Sequence, residues 1–466
     1  MADASYSPRL RTALVLTGAG TAGAYQAGAL RALSEAGVKI DVMAAHGPGV
    51  ANAIMASVDG AARLGNAAGP WSAPSLAQAY RWRAGLRAAG LGVALALATL
   101  LLPLIVLVVA AGVYGLSLLA SLASFTGVAA SLVHAYAVIL DVLFHPPILP
   151  TIVPRVMVLC LLVTGGVLVG AWWRARTRRP SRRRTSGAVW WQLFGSPIDP
   201  SEPVRTLTNA VWMLVRGAST ETDPPLFEIG RHYIELLTEN FGQPGFCEVI
   251  FGVHDLDARR DLTLAVLPEA SLALFSARRP VGGAREAEAI DLSTPMRDHL
   301  AGLVAGAVQL PGLTAGQPVT FPSDHYWQGE THRLCDRPEL VHRLVEEVIG
   351  LGVEQIVFLS AAPTAGLPHA LGPQPADLRG RAGEWQRSVE TAVLDDAIAL
   401  STSRFSGVFV IRPSHNPIGP FQFAGTYDET SDRVRSLGDL QRQGYEDAYR
   451  LFIEPVVASG ERQDVL

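Results

Sequence analysis

Gly18-Ala-Gly-Thr-Ala-Gly23 has the spacing GxGxxG. Glycines so placed let a backbone approach a ligand closely and aim the amides of a following helix at an anion. A dinucleotide site also needs an acidic residue roughly 20 positions on, and Asp41 is in range. A plain tight turn is the simpler account of the same glycines. His46-Gly-Pro-Gly49 is a second turn, and His46 there is a candidate base or nucleophile. Asp324 and His325 supply a carboxylate and an imidazole farther on, so His46 with Asp324 is one relocated dyad these residues allow. The plainer alternative is a turn-stabilising histidine and a solvated aspartate. His254-Asp-Leu-Asp257 contains metal-ligand types without a visible convergent partner, so no metal is expected. Cys160, Cys247 and Cys335 are far apart and form no CxxC pair, which argues against a disulfide framework or a zinc site. No cofactor is expected.

The elements around these turns read as alternating strand and helix. Ala13–Thr17 is a short apolar run of buried-strand type, and Ala24, Gly28, Leu30 and Leu33 follow at helical spacing. Ile40–Ala45 predicts a second strand, and Val50–Val58 a second helix. Leu226–Asn240, Ser293–Ala307, Pro338–Gly350 and Glu384–Ser401 predict helices. Cys247–Val253, Leu262–Leu267, Gln355–Ser360 and Gly407–Arg412 predict strands. Pro200–Pro225 reads as a mixed connection, and Arg278–Arg285 and Thr364–Gly383 as surface loops. Leu437–Ile453 predicts an amphipathic closing helix, with Tyr445 and Tyr449 on a core or oligomer face. His415-Asn-Pro-Ile-Gly-Pro420 reads as a structured turn. This alternation predicts an α/β fold with a parallel sheet.

The segment Leu14–Leu33 resembles the opening of patatin-like phospholipases, with a strand, a glycine-rich oxyanion loop and a helix in which Tyr25 and Gly28 match. Ala45-His-Gly-Pro-Gly49 then aligns with that family's GxSxG elbow, and Val50-Ala-Asn-Ala53 with the helix after the serine. Ala305–Gly312 resembles its small-residue segment ending in Pro-Gly. Tyr326-Trp-Gln-Gly-Glu330 falls where it carries a catalytic DGG or DGA turn, and Val348–Ser360 resembles its closing helix and strand. The resemblance covers about residues 10–60 and 245–360. It implies a patatin-like parallel-sheet domain with Gly18, Ala19, Gly20, Thr21, Ala22 and Gly23 as the oxyanion and substrate-binding loop. It puts Gly47 at the nucleophile position and Gln328 at the aspartate position. A glycine cannot attack an ester and a glutamine cannot be a carboxylate base. Ala19 and Ala22 also replace a glycine and a basic residue of the loop.

The 466 residues are 49% apolar and 17% charged, with formal charge -4 and one lysine, Lys39. This excludes a mostly disordered chain and argues against nucleic-acid binding. No signal peptide is expected from the polar opening. From Ala88 to Leu140 there is no Asp, Glu, Lys or Arg. Gly92–Tyr114 is long enough to span a bilayer core of about 30 Å, Leu116–Leu140 is softer, and Val156–Trp173 is near the minimum length. Arg81, Arg83 and Arg87 precede this region. Arg174, Arg176, Arg178, Arg179, Arg182, Arg183 and Arg184 follow it and could hold anionic headgroups. Basic flanks on both sides predict an even number of crossings, with the soluble part on the cytoplasmic side of an inner, cytoplasmic membrane. The expected organisation is 1–85 and 201–466 as the two parts of one patatin-like domain. Residues 86–175 form an inserted transmembrane helical hairpin, and 176–200 a basic linker. The function this predicts is a membrane-anchored, lipid-binding pseudoenzyme. A lipid acyl hydrolase with a relocated dyad and a membrane-bound nucleotide-binding protein are the alternatives.

Overall fold

Thr12–Thr17 (β1) is buried along its whole length, as a strand covered on both faces must be. The computed structural model describes residues 6–58, 60–65, 69–143, 152–177, 195–217, 225–278, 284–366 and 377–463. Around β1 lie β2 (Val42–Ala45), β3 (Glu248–Asp255), β4 (Arg260–Val266), β5 (Ala289–Asp291), β6 (Gln317–Thr320), β7 (Thr331–Cys335), β8 (Gln355–Ser360) and β9 (Gly407–Ile411). They form one mixed sheet in the order β9-β8-β1-β2-β3-β4-β5. The five strands from β9 to β3 run parallel, with Val15 registered between Phe358 and Ala44. β4 is antiparallel to β3, and the β6–β7 pair joins the end of β3 through His254 and Cys335.

Side-chain alternation splits the core between the two faces of this sheet. Ala13 and Val15 join a cluster with Val341, Leu344 and Val348, on the helix Leu340–Gly350. Leu14 and Leu16 join Leu30, Val50 and Ile54, on α1 (Ala22–Glu35) and α2 (Gly49–Ala56). α1 also packs on the helix Leu437–Ala448 at very short range. A Cβ on Gly28 would lie 1.8 Å from the Gln441 carbonyl oxygen, and one on Gly444 would lie 2.0 Å from that of Tyr25. Tyr25 donates to Asp447 across the contact at 3.0 Å, and Tyr445 donates to Glu35 at 2.8 Å.

Two expectations fail here. Pro200–Pro225 contains a regular helix, Ser201–Val215, whose buried residues Pro203, Leu207, Thr208, Val211, Trp212 and Val215 follow a 3.6 period. Thr364–Gly383 is not loop to its end, because a helix already starts at Leu378. The Asp377 side chain caps it by accepting from the Gly380 amide at 3.0 Å.

The chain divides into two compact units, 1–81 with 198–466, and 82–197. The second unit contains the helices Ala84–Leu100, Leu102–Leu122, Thr126–Leu143 and Ile152–Thr177. The expected span Gly92–Tyr114 is broken at Leu101. Pro103 has no N–H for the Thr99 carbonyl and its ring crowds that turn, so the helix restarts at Leu102. Among the described residues, two helices are long and apolar enough to cross a membrane, Leu102–Leu122 and Pro154–Trp173. None of the residues of Leu102–Leu122 is buried. Within the unit, Tyr136 donates to the Val106 carbonyl at 2.8 Å. A Cβ on Gly92 would meet Thr164 Oγ1 at 2.1 Å. Arg178, Arg179, Arg182, Arg183 and Arg184 lie outside the described residues, and Arg174 and Arg176 fall in the last turns of a helix.

The glycine contact between α1 and the closing helix gives a direct test. Gly444→Ala should destabilise the full chain by about 1–3 kcal/mol through overpacking, although alanine is the better helix former. Gly438→Ala, in the same helix, meets only the Ser436 hydroxyl at 3.7 Å and should stay within about 0.5 kcal/mol of the parent. Thermal unfolding of both variants in detergent measures the difference.

Candidate functional site

The two parallel strands β1 and β2 end side by side, and both glycine turns leave from those ends. Residues Gly18 to Gly23 are all buried. Gly18 and Gly20 have φ of +123° and +55°, values that favour glycine. Gln26 donates to the Thr17 carbonyl at 3.1 Å, and Asn52 donates to the Gly23 carbonyl at 2.9 Å. Trp71 donates to Asn52 at 2.8 Å, so α1 and α2 hold the loop through buried side chains.

Gly47 sits at the bend between β2 and α2 with φ of +60°. A Cβ there would lie 2.5 Å from the Gly18 carbonyl oxygen and 2.9 Å from Asp336 Oδ2. The carboxylate against the bend is therefore that of Asp336, the residue after β7. Gln328 is instead an exposed residue of the turn before β7, with φ of +42° and its amide bonded to the His325 carbonyl. Asp324 is exposed in the same turn, and His325 stacks on Phe321 with ring centroids 4.9 Å apart.

His46 is fully buried and both its ring nitrogens are engaged. Nδ1 lies 2.9 Å from Asp336 Oδ1 and Nε2 lies 2.8 Å from Thr17 Oγ1. The structure does not bring Asp324 to His46: the imidazole is engaged with Thr17 and Asp336. The chain Thr17–His46–Asp336 has the order of a hydroxyl, a base and an orienting acid. All three side chains are buried, at 3%, 0% and 1% exposure. Cys335, beside Asp336, is no substitute nucleophile, because burial pushes its thiol up to about 12.

A second carboxyl completes the cluster. Glu390 Oε2 would lie 3.7 Å from a Cβ on Gly18, and Gln386 donates to Glu390 Oε1 at 2.9 Å. Burial raises the Glu390 carboxyl to about 7; Asp336 adds to that shift while Gln386, His46 and Arg387 oppose it. Burial also opposes charge on His46, but Asp336, through its charge and hydrogen bond, outweighs it and moves the ring's pKa up. Asp336 Oδ2 meets no hydrogen-bond partner among the described residues. A protonated His46 donates to Thr17, and only a neutral ring could take the Thr17 proton.

The loop is also covered. Pro420 O accepts from the Thr21 amide at 2.9 Å, and Thr21 Oγ1 donates to the Gly419 carbonyl at 3.0 Å. A Cβ on Gly20 would lie 1.9 Å from Pro420 O. The covering segment is itself tied down: Arg387 donates to the carbonyls of Asn416, at 2.9 Å, and of Ile418. Asn416 donates to the Ala361 carbonyl at 3.0 Å. The backbone carbonyl of Pro420 thus occupies the face a phosphate or an oxyanion would approach.

Asp41 does not belong to this end of the sheet. Its Oδ2 accepts from the Thr12 amide at 2.8 Å, at the start of β1, and Lys39 pairs with it at 3.1 Å. A dinucleotide site needs its acidic residue near the glycine loop, which follows the other end of β1. The nucleotide-binding alternative therefore lacks both its acid and an open loop. Several other histidines and acids among the described residues have local partners. His254 lies 2.7 Å from Asp261, Asp255 2.5 Å from His332, and Asp257 2.9 Å from Arg333. His415 lies 3.0 Å from Asp428.

Sequence reasoning missed Thr17, Asp336, Gln386, Arg387 and Glu390. The signal for Asp336 was present: Asp336-Arg-Pro-Glu-Leu340 stands between a strand and the helix leading to Gln355–Ser360. The three residues of Leu378–Ser401 carry no such signal.

Among solved structures, VipD from Legionella pneumophila is similar over 97% of this chain and 68% of its own, at 12% identity and a TM-score of 0.32. No protein-family profile and no curated protein matches the sequence.

Glu390 gives the site a pH signature. Its folded pKa lies above its unfolded value, so the folded state binds the extra proton between about 4.5 and 7. The stability this contributes is complete at low pH and is lost as pH rises through 7. The upward shift of His46 adds a loss of the same sign above 6.5. Glu390→Gln, neutral throughout, should make stability between pH 5 and 8 flatter by on the order of 3 kcal/mol, read from unfolding midpoints across that range.

Proposed function

We propose that this chain is a membrane-linked, patatin-like protein whose ester-hydrolysing chemistry is silent and which acts by binding lipid. One observation carries the reading: at the bend where that family places its nucleophile, Gly47 leaves only a hydrogen, and Asp336 Oδ2 and the Gly18 carbonyl fill the space beyond it. Asp336 takes the acid position, so the acid is retained and only the nucleophile is missing. The closure of Gly18–Gly23 by Pro420 supports silence independently. Two helices of membrane-spanning length and composition support the membrane link. The arginines before and after them favour both flanks on the cytoplasmic face, with Arg174, Arg176, Arg178, Arg179, Arg182, Arg183 and Arg184 against anionic headgroups.

A second reading is favoured by the hydrogen-bonded chain Thr17–His46–Asp336. In a lipid acyl hydrolase built on it, Thr17 Oγ1 would attack the ester carbonyl and His46 would pass its proton to the leaving alcohol. That needs a neutral His46 and displacement of the Pro420 segment.

Fluorophosphonate labelling of the purified full chain separates the two. Under the first reading the native chain stays unlabelled, and so does Gly47→Ser, whose side chain meets the Gly18 carbonyl and Asp336 and whose glycine loop stays covered by Pro420. Native labelling that Thr17→Val abolishes would replace the first reading with the second. Labelling that appears only with Gln328→Asp present would return the acid position to Gln328.

A further inference from the structure

Five non-glycine residues among those described have a positive φ, and Tyr80 is the buried one. Its φ is +53° and it is 1% exposed, so its surroundings hold it in a backbone conformation a bulky residue disfavours. The phenol donates to the Val308 carbonyl at 2.7 Å. The ring lies 5.9 Å from that of Phe421 and 5.5 Å from that of Phe423, between centroids. Both phenylalanines are buried and belong to the segment that covers Gly18–Gly23. On the helix that carries Arg387, a Cβ on Gly383 would lie 3.5 Å from Pro420 and from Phe421. The cover is therefore held on its polar side by Arg387 and on its apolar side by Tyr80. One residue beyond Val308, the Gln309 carbonyl accepts from the Asp336 amide at 2.8 Å. Burial raises the Tyr80 phenol's pKa and the Asp336 charge adds to the rise, so Tyr80 also stands in the field of the bend's carboxylate.

The position of Tyr80 in the chain gives these contacts a direction. The unit with the apolar helices begins at Trp82, two residues on. The two ends of that unit are tied together, the Arg83 amide donating to the Pro197 carbonyl at 3.0 Å. We propose that residues 415–423 are a strap that occupies the glycine loop in place of an anionic ligand, and that Tyr80 is the latch through which the membrane-linked insertion controls it. In the closed state the Pro420 carbonyl takes the Thr21 amide. A displacement of the insertion reaches Tyr80 through Arg81 and Trp82. A residue in a disfavoured backbone region is eased by leaving it, so the motion that releases φ also withdraws the ring from Phe421 and Phe423. The strap then loses the apolar half of its hold, and the loop amides open to an anion. The proposal rests on the membrane-linked part of the functional reading and not on Gly47.

Hydrogen exchange of the full chain in nanodiscs tests this, with short-chain and long-chain phosphatidylcholine supplying two bilayer thicknesses that tilt spanning helices differently. Exchange in residues 18–23 and 415–423 should differ between the two bilayers by about twofold or more, while the strand Gln355–Ser360 stays protected in both. Tyr80→Phe loses only the bond to Val308. It should speed exchange in both segments about two- to tenfold, the range of one hydrogen bond. Tyr80→Gly adopts the backbone angle freely and has no ring, so both segments should exchange fast and alike in the two bilayers. Equal exchange of the parent in both bilayers, or parent-like exchange in Tyr80→Phe, would overturn the proposal. If Tyr80→Gly also exposes Gln355–Ser360, its fold is lost and Tyr80→Phe decides alone. A chain that does not enter nanodiscs would sink the membrane-linked reading itself, whereas entry with flat exchange sinks only the latch. Fluorophosphonate labelling is a separate readout, so the silent-site reading stands or falls independently.

Discussion

The site is organised by the space that Gly47 leaves empty. With no Cβ at a bend of φ +60°, the Gly18 carbonyl and the Asp336 carboxylate can close to within 3 Å of where one would stand. That closeness places Asp336 on His46, and His46 on Thr17. Burial makes a charge on Glu390 costly and the nearby Asp336 carboxylate adds to that cost, so Glu390 keeps its proton to about neutral pH. The cluster is a packed polar core with the outline of a reaction centre. Its atoms are arranged around the bend at Gly47, which carries no side chain.

The cover over the glycine loop follows the same logic. Gly20 has no side chain, so the Pro420 carbonyl can approach and accept the Thr21 amide. Arg387 holds the covering segment from the helix that also delivers Gln386 and Glu390. One helix therefore supplies both the second carboxyl and the clamp on the cover. Opening this site would mean breaking buried, charge-assisted hydrogen bonds, which are about twice as strong as neutral ones.

Several features were legible in the residues. Buried strands announce themselves by short runs of branched apolar side chains, and Gln355–Ser360 and the strand from Ala13 could be placed that way. Long uncharged stretches mark helices that water does not suit. Helices whose apolar positions are diluted by polar ones were harder. Ser201–Val215 contains Pro203, Thr206, Thr208 and Asn209, and only its buried stripe shows the period once the packing is known. The start of Leu378–Ser401 depends on the cap at Asp377, which a loop reading of a Pro- and Gly-rich stretch conceals.

By itself the sequence determined that the chain has an α/β domain interrupted by apolar helices, and that the bend after the second strand has a glycine, Gly47, at its centre. Those are local properties: a period, a run, the absence of a side chain. Which carboxylate faces that bend was decided only by the tertiary structure. The pairing of β7 with β3 carries Asp336 to the end of the sheet and leaves Gln328 and Asp324 exposed in a turn. The fate of the glycine loop was decided the same way, because a carbonyl some four hundred residues away in sequence closes it. Contacts between distant segments leave no trace in local spacing, since their geometry is set by how helices and strands pack, and here the whole strand Thr331–Cys335 separates Asp336 from the turn of Asp324 and Gln328.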